Sequence, residues 1–217
     1  MAEQDWLVTN EGECLNAEVI YPQTDWHHPY RLYRFLTDLE DILEQVEDPQ
    51  LRLRQICPLV RHLLNHSEWL QMNFLPPDTT TGWSVLMLYD EPNFPITVQT
   101  VAWSPGSISP IHNHATWGIV AILSGVEKNT FWQRSPSNTS PVLGRVGIAH
   151  PTTQRQQVVP VGEHQFYPGD ILCLMPDTIH HVEVVGDEPT ISFNLYGETN
   201  YSQRFEFDPI QGIAKNF

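Results

Sequence analysis

The sequence predicts a mainly β fold, a sandwich or barrel, preceded by a helical segment. Three observations predict it. After Thr81 the apolar residues follow a period of two in short runs separated by Pro, Gly and Asn, the alternation of half-buried strands. The 18 Pro and 12 Gly stand beside 7 Trp, 7 Tyr and 9 Phe, a composition of many turns between aromatic and β-branched runs. Finally, 217 residues with 41% hydrophobic and 17% charged residues suffice for one domain with a real core, unlike disordered or membrane-spanning chains.

Taken in order, residues 1–27 show no lasting periodicity and read as an arm that packs onto the body or is partly disordered. From Pro29, the residues Leu32, Phe35, Leu36, Leu39, Ile42, Leu43 and Val46 recur at three- and four-residue intervals, one stripe of an amphipathic helix. Asp48-Pro49 is expected to stop it. A second helical stretch carries Ile56, Leu59, Val60, Leu63 and Leu64, with Pro58 expected to interrupt it or mark its first turn. Ser67-Glu68-Trp69 opens a third short turn. Phe74-Leu75-Pro76-Pro77-Asp78 then breaks helix, closing a helical segment at 28–75. Strands are expected at Trp83 to Leu88, Ile96 to Trp103, Gly118 to Leu123, Lys128 to Gln133, Gly162 to Tyr167, Asp170 to Met175, His180 to Val185 and Thr190 to Tyr196. Residues 134–160 read as a loop-rich insertion or long hairpin. The whole chain reads as one domain, 1–217, with its barrel at 83–201.

Eleven Lys and Arg face 26 Asp and Glu, a net charge of -15. Residues 1–50 hold 12 of the acids and only 2 Arg, so the acidity belongs mostly to the N-terminal segment, as a solvated face. This balance makes nucleic acid and anionic membrane poor partners. No run approaches the roughly 20 apolar residues of a membrane span. The acidic start MAEQDWLVTNEGE is unlike a secretory signal, and Cys14, Cys57 and Cys173 are odd in number and widely spaced, as free thiols in a reducing compartment are. A cytoplasmic protein is expected. Nothing in the sequence fixes its oligomeric state.

The chemistry concentrates in histidines. In Gly106-Ser-Ile-Ser-Pro-Ile-His112-Asn-His114-Ala-Thr-Trp-Gly118-Ile-Val-Ala-Ile-Leu-Ser-Gly125 the two His stand two apart. On a strand such residues project to the same face and can place two imidazole nitrogens on one metal ion. A second segment, Tyr167-Pro-Gly-Asp170-Ile-Leu-Cys-Leu-Met-Pro176-Asp-Thr-Ile-His180-His181-Val-Glu-Val, gives a tight turn, an apolar strand, another turn and a strand that begins with His. There His180, Val182 and Val184 share one face, the apolar one, which makes His180 the third ligand and leaves His181 as the alternative. Asn194 shares a polar face with Ser192 and Tyr196, and such a face on a barrel strand calls for a wet or reactive interior. His27-His28, His62 and His66 read as surface or capping residues. Cys173 reads as core, and Trp83, Trp103, Trp117 and Trp132 as core or pocket walls. No Walker loop, dinucleotide fingerprint, GxSxG or kinase signature is present.

The two His segments resemble the two motifs of the cupin superfamily, and more closely those of the cysteine dioxygenase-like thiol dioxygenases. Gly106, His112, His114, Gly118 and Gly125 fit the first motif in register, with Gly118 where many cupins carry a Glu ligand. The resemblance covers about residues 67–196. It implies a double-stranded β-helix (jelly-roll) barrel with the N-terminal helices packed on its outside. It also implies a non-haem iron(II) dioxygenase of a small thiol, with Fe(II) held by His112, His114 and His180 and with O2 as co-substrate. Ser192 and Tyr196 match residues near the substrate in that family, Tyr196 donating a hydrogen bond at the metal, and Asn194 stands where the family has a His. Gly118 is expected to leave room for water or substrate, beside Trp117.

The chain departs from the family at Leu86 and Met87, which occupy the place of the substrate-binding Arg. The pocket there should be apolar and cysteine a poor substrate, unless Arg134, Arg145 or Arg155 supplies the missing cation. The alternative is a cupin that holds Zn, Ni or Mn for ligand binding or sensing.

Overall fold

A computed structural model describes residues 3–20, 30–92, 94–135 and 153–216 of the chain. Helix α1 (Leu32–Gln45) turns Phe35 and Leu39 inward. Helix α2 (Pro49–Asn65) starts where the first was expected only to stop. The Asp48 side chain accepts a hydrogen bond from the Leu51 amide at 2.7 Å, and Pro49 occupies the first turn, where its missing N–H is no loss. Pro58 neither interrupts α2 nor begins it. Eight buried side chains between Leu53 and Leu64 hold the helix through it, and their burial outweighs the roughly 3 kcal/mol of an interior proline. A short helix, α3 (Glu68–Met72), follows. None of the described helices is long and apolar enough to cross a membrane.

The strands are β1 (Asp5–Val8), β2 (Cys14–Asn16), β3 (Trp83–Asp90), β4 (Ile96–Trp103), β5 (Ile111–Asn113), β6 (Gly118–Ser124), β7 (Glu127–Arg134), β8 (Thr153–Arg155), β9 (Val158–Phe166), β10 (Ile171–Leu174), β11 (Ile179–Val184), β12 (Thr190–Gly197), β13 (Phe205–Asp208) and β14 (Ile213–Asn216). They form two seven-stranded sheets, ordered β2-β1-β10-β6-β12-β4-β3 and β8-β14-β13-β5-β11-β7-β9. From β4 to β7 and from β9 to β13 successive strands switch sheets. This alternation winds the chain into a double-stranded β-helix, the jelly roll expected from the sequence.

The structure fills in the sequence reading at the two ends of the chain and in the 134–160 segment. The N-terminal arm is part of the first sheet. β1 pairs in parallel with β10, Leu7 opposite Cys173, and Arg61 of α2 binds Asp5 at 2.5 Å, Glu3 at 2.9 Å and the Gly169 carbonyl at 2.9 Å. A strand of four residues is too short to show a period in a sequence window. At the other end β13 and β14 carry the second sheet past Tyr201, where the barrel was expected to close, and β13 sets Glu206 opposite His112. Across the 134–160 segment, read as a loop-rich insertion or long hairpin, β7 and β9 pair antiparallel with Arg134 opposite Val158, and β8 pairs with β14. Residues 136–152 of that segment, like His27 and His28, lie outside the described residues.

Two cores flank the first sheet. Outside it, Phe35, Leu39, Leu53, Ile56 and Leu63 of the helices meet Val98, Ile119, Phe193 and Leu195. Inside the barrel, Val8, Val120, Ile122, Phe131, Phe166, Leu172 and Leu174 pack together. Cys14, Cys57 and Cys173 are free thiols, the last two buried.

Candidate metal centre

β5 is only three residues long, but pairing on both sides fixes it. His112 stands opposite His180 of β11 on one side and Glu206 of β13 on the other. His114 follows one residue after β5, so the alternation carries its ring to the same side as His112. The structure thereby gathers His112, His114 and His180, whose ligand nitrogens all lie within 4.8 Å of one another. Among the described residues no other such group could hold a metal ion.

The hydrogen bonds of the rings set which nitrogen is available. The His180 Nδ1 sits 2.7 Å from Oδ1 of Asn129. An amide oxygen only accepts, so Nδ1 carries the proton and Nε2 keeps its lone pair. His112 Nδ1 sits 2.9 Å from the Pro110 carbonyl with the same result. Burial holds all three rings neutral: it lowers His112 to about 4, helped by Arg204 and His181, and lowers His114 and His180 well below the ordinary imidazole value, helped by the neighbouring rings. Neutral imidazole is the form that ligates metal. The Nε2 atoms of His114 and His180 are 3.1 Å apart. Two nitrogens each about 2.0–2.1 Å from one ion, at tetrahedral to right angles, lie roughly 2.9–3.4 Å apart. The donor set fits a single divalent ion of imidazole-preferring type, with no carboxylate among its ligands.

His181 faces the other way. Its Nδ1 accepts from the Trp132 indole N–H at 2.9 Å, and strand parity alone separates it from its neighbour.

The three rings border a chamber of about 130 Å³. Ser192, Asn194 and Tyr196 line it from β12 and are linked to one another. The Tyr196 hydroxyl donates to Asn194 Oδ1 at 3.0 Å, and Asn194 Nδ2 donates to Ser192 Oγ at 2.9 Å. The Tyr196 ring stacks on His114, centroids 4.5 Å apart and planes 24° apart, and burial raises its phenol. Its proton is thus committed to Asn194. The space above Gly118 is not open for a ligand: a Cβ there would lie 2.8 Å from the Tyr196 ring, which fills it. Trp117 is not a pocket wall of the chamber but a core residue on the helix side of the first sheet.

Leu86 and Met87 lie away from the chamber. Leu86 pairs with Thr100, whose hydroxyl donates to the Asn73 carbonyl on the helix side. Met87 pairs with Gln99 and so shares its face, but β3 is the sheet edge and Met87 is 46% exposed. Arg134 lies over the Phe207 ring at 5.6 Å and is absent from the chamber lining, and Arg155 is exposed on β8. Arg145 lies outside the described residues.

Sequence reasoning missed Asn129, Glu127, Gln99 and Arg204. Glu127 and Asn129 enter the chamber from β7, and Gln99 from β4. The visible signal was the polar pair two apart in a strand pattern that continues with Phe131. Glu127 is 2% exposed, and burial raises its carboxyl to about 7. Arg204 precedes β13. Its charge opposes protonation of His112 and His114. With Trp83 and Trp103 it walls an outer recess of about 430 Å³, which shares Trp103 and His112 with the chamber.

No family model matches the chain. Several solved structures are similar to it. Oxalate oxidase in complex with the substrate analogue glycolate is 12% identical over 65% of this chain and 59% of that one, with a TM-score of 0.39. The Cnp3 cupin domain of Schizosaccharomyces pombe is 9% identical over 54% and 64%, TM-score 0.37. A deletion mutant of Bacillus subtilis oxalate decarboxylase is 19% identical over 58% and 28%, TM-score 0.39. The chain spans about 59% of the length of the oxalate oxidase it resembles. Likenesses this distant say nothing of its reaction. The sheet-switching strand order and the gathered histidines of the chain itself make it a mainly β jelly roll with a three-histidine group.

Proposed function

We propose that this protein is a non-haem iron(II) dioxygenase of a small thiol. The observation that carries the reading is the convergence of three neutral imidazoles, two with the ring proton held on Nδ1 by its own hydrogen bond, without a carboxylate among them. Fe(II) bound there keeps its full positive charge, which lowers the pKa of a thiol and leaves open positions for the thiol and O2.

The chain's own residues supply the setting. His112, His114 and His180 would hold the ion; Asn129 orients His180, and Tyr196 supports the His114 ring by stacking. A cavity near 150 Å³ takes a molecule of about benzene size, so a chamber of about 130 Å³ favours a substrate of few atoms. Among the described residues its lining holds no Lys or Arg and does hold Glu127. A thiol bearing a carboxylate, cysteine included, would meet no Lys or Arg in the described lining and would face Glu127, so a neutral small thiol suits the chamber better.

One observation favours a second reading, a cupin that binds or senses a ligand through Zn, Ni or Mn. The Tyr196 proton, which the dioxygenase reading would aim at the metal, is engaged by Asn194. Metal analysis of the purified protein, followed by oxygen uptake across a panel of small thiols after anaerobic Fe(II) loading, separates the two. Thiol-dependent oxygen consumption of more than one equivalent per chain supports the dioxygenase. Fe(II)-loaded protein that consumes none with any thiol contradicts it.

A further inference from the structure

The chamber contains two polar atoms that the fold leaves unanswered. Glu127 and Asn129 are 2% and 1% exposed, and both line the chamber two residues apart on β7. Buried Nδ2 of Asn129 has no hydrogen-bond partner, and buried Oε1 of Glu127, although the Thr190 hydroxyl lies beside the carboxyl, makes no hydrogen bond of ordinary geometry. Native interiors seldom leave such atoms unmatched unless a water or a ligand answers them. A metal ion on His180 Nε2 leaves the ring proton on Nδ1, which calls for an acceptor, so Asn129 turns its Oδ1 to that ring. Its NH2 group is therefore the part left over.

We infer that Glu127 and Asn129 form a binding subsite for a hydroxyl group, so that the natural ligand is a small molecule with a metal-binding atom at one end and an alcohol at the other. One hydroxyl oxygen can accept from Asn129 Nδ2 and donate to Glu127 Oε1, satisfying both orphaned atoms at once. An ammonium group has no lone pair for Asn129. A carboxylate has no proton for Glu127 and is repelled when that group ionises. An alkyl group leaves both atoms unmatched and displaces the water that would otherwise bridge them. The inference rests on metal binding by the three histidines and not on the choice of a thiol as substrate.

The test uses the full chain loaded with Co(II), whose visible spectrum reports a ligand entering its shell. Four probes of similar size are compared: 2-mercaptoethanol, ethanethiol, cysteamine and mercaptoacetate. The expected result is that 2-mercaptoethanol binds at least tenfold more tightly than each of the others. E127L is expected to erase its advantage over ethanethiol, while E127Q, which keeps an acceptor oxygen, retains it. Equal binding of 2-mercaptoethanol and ethanethiol by the wild-type protein overturns the subsite without recourse to any variant. Tighter binding of cysteamine or mercaptoacetate also overturns it, as does an equal loss in E127Q and E127L. Failure of the thiol reading looks different, because then no thiol changes the spectrum. In that event 2-aminoethanol is compared with ethylamine in the same way; a tenfold preference for the amino alcohol upholds the subsite, and equality overturns it.

Discussion

On β7, Phe131 packs among Phe166, Leu172, Leu174 and Val8 in one half of the barrel interior, while Glu127 and Asn129 enter the chamber in the other. The two halves share Val120 and Leu172 as walls, and Phe131, Glu127 and Asn129 are all nearly fully buried. Their energetics are opposite. Each large apolar side chain in the first half contributes roughly 1.5–3 kcal/mol by leaving water. In the second half each unmatched polar atom opposes folding by about 1–3 kcal/mol. Equal burial therefore does not mean equal purpose: the apolar half holds the barrel closed, and the polar half is kept at the expense of stability for what it binds.

The largest effect on that contrast is expected from F131A, which should lower stability by about 3–5 kcal/mol through the cavity it leaves, measured by denaturant unfolding. Metal content of the folded protein should stay at the wild-type level; a parallel loss of metal would mean the halves are one unit. N129L makes the reverse cut. It removes the acceptor that fixes the His180 ring and should weaken metal affinity about 10–100-fold, measured by chelator competition. Unchanged affinity would show that the ring needs no such partner.

Glu127 sharpens the comparison through pH. Burial raises its folded-state carboxyl from 4.5 to about 7, so between these values the folded chain holds a proton that the unfolded chain has released. Its contribution must then fall as pH rises through that window, at up to about 1.4 kcal/mol per pH unit, and level off above. The difference in unfolding free energy between wild type and E127Q isolates this from the histidines, whose lowered values act in the opposite sense. A flat difference from pH 4.5 to 7 would mean that Glu127 ionises freely. The smallest effect is expected at Ala115, next to His114, which has a left-handed backbone with φ 53°. A115G should relieve this and raise the melting temperature slightly, by no more than about 1 kcal/mol of stability. A lower melting temperature would show that the turn is not strained.

Much of this was legible in the sequence where local rules sufficed. The strand Ile96–Trp103 has the bounds its alternation indicates, and parity on one strand separates His180 from His181. What depends on pairing between distant segments was not legible. The parallel contact of β1 with β10 joins residues more than 160 positions apart. β13 is placed against the metal centre only through its pairing with β5, which sets Glu206 opposite His112. The same limit explains the site residues. Nothing local to Gly118 shows that Tyr196 fills the space above it, nor does Leu86 reveal that its face is turned to the helices. Asn129 becomes a partner of His180 only through the pairing of β7 with β11.

The central claim is that one metal ion is held by His112, His114 and His180. Its most direct test is elemental analysis of the metal bound per chain, after loading and desalting, in the wild type and in H112A, H114A, H180A and H181A. The account requires one ion per chain in the wild type and in H181A, and almost none in the other three. Full occupancy in H180A with loss in H181A, or a wild-type protein that retains no divalent metal at all, would contradict it.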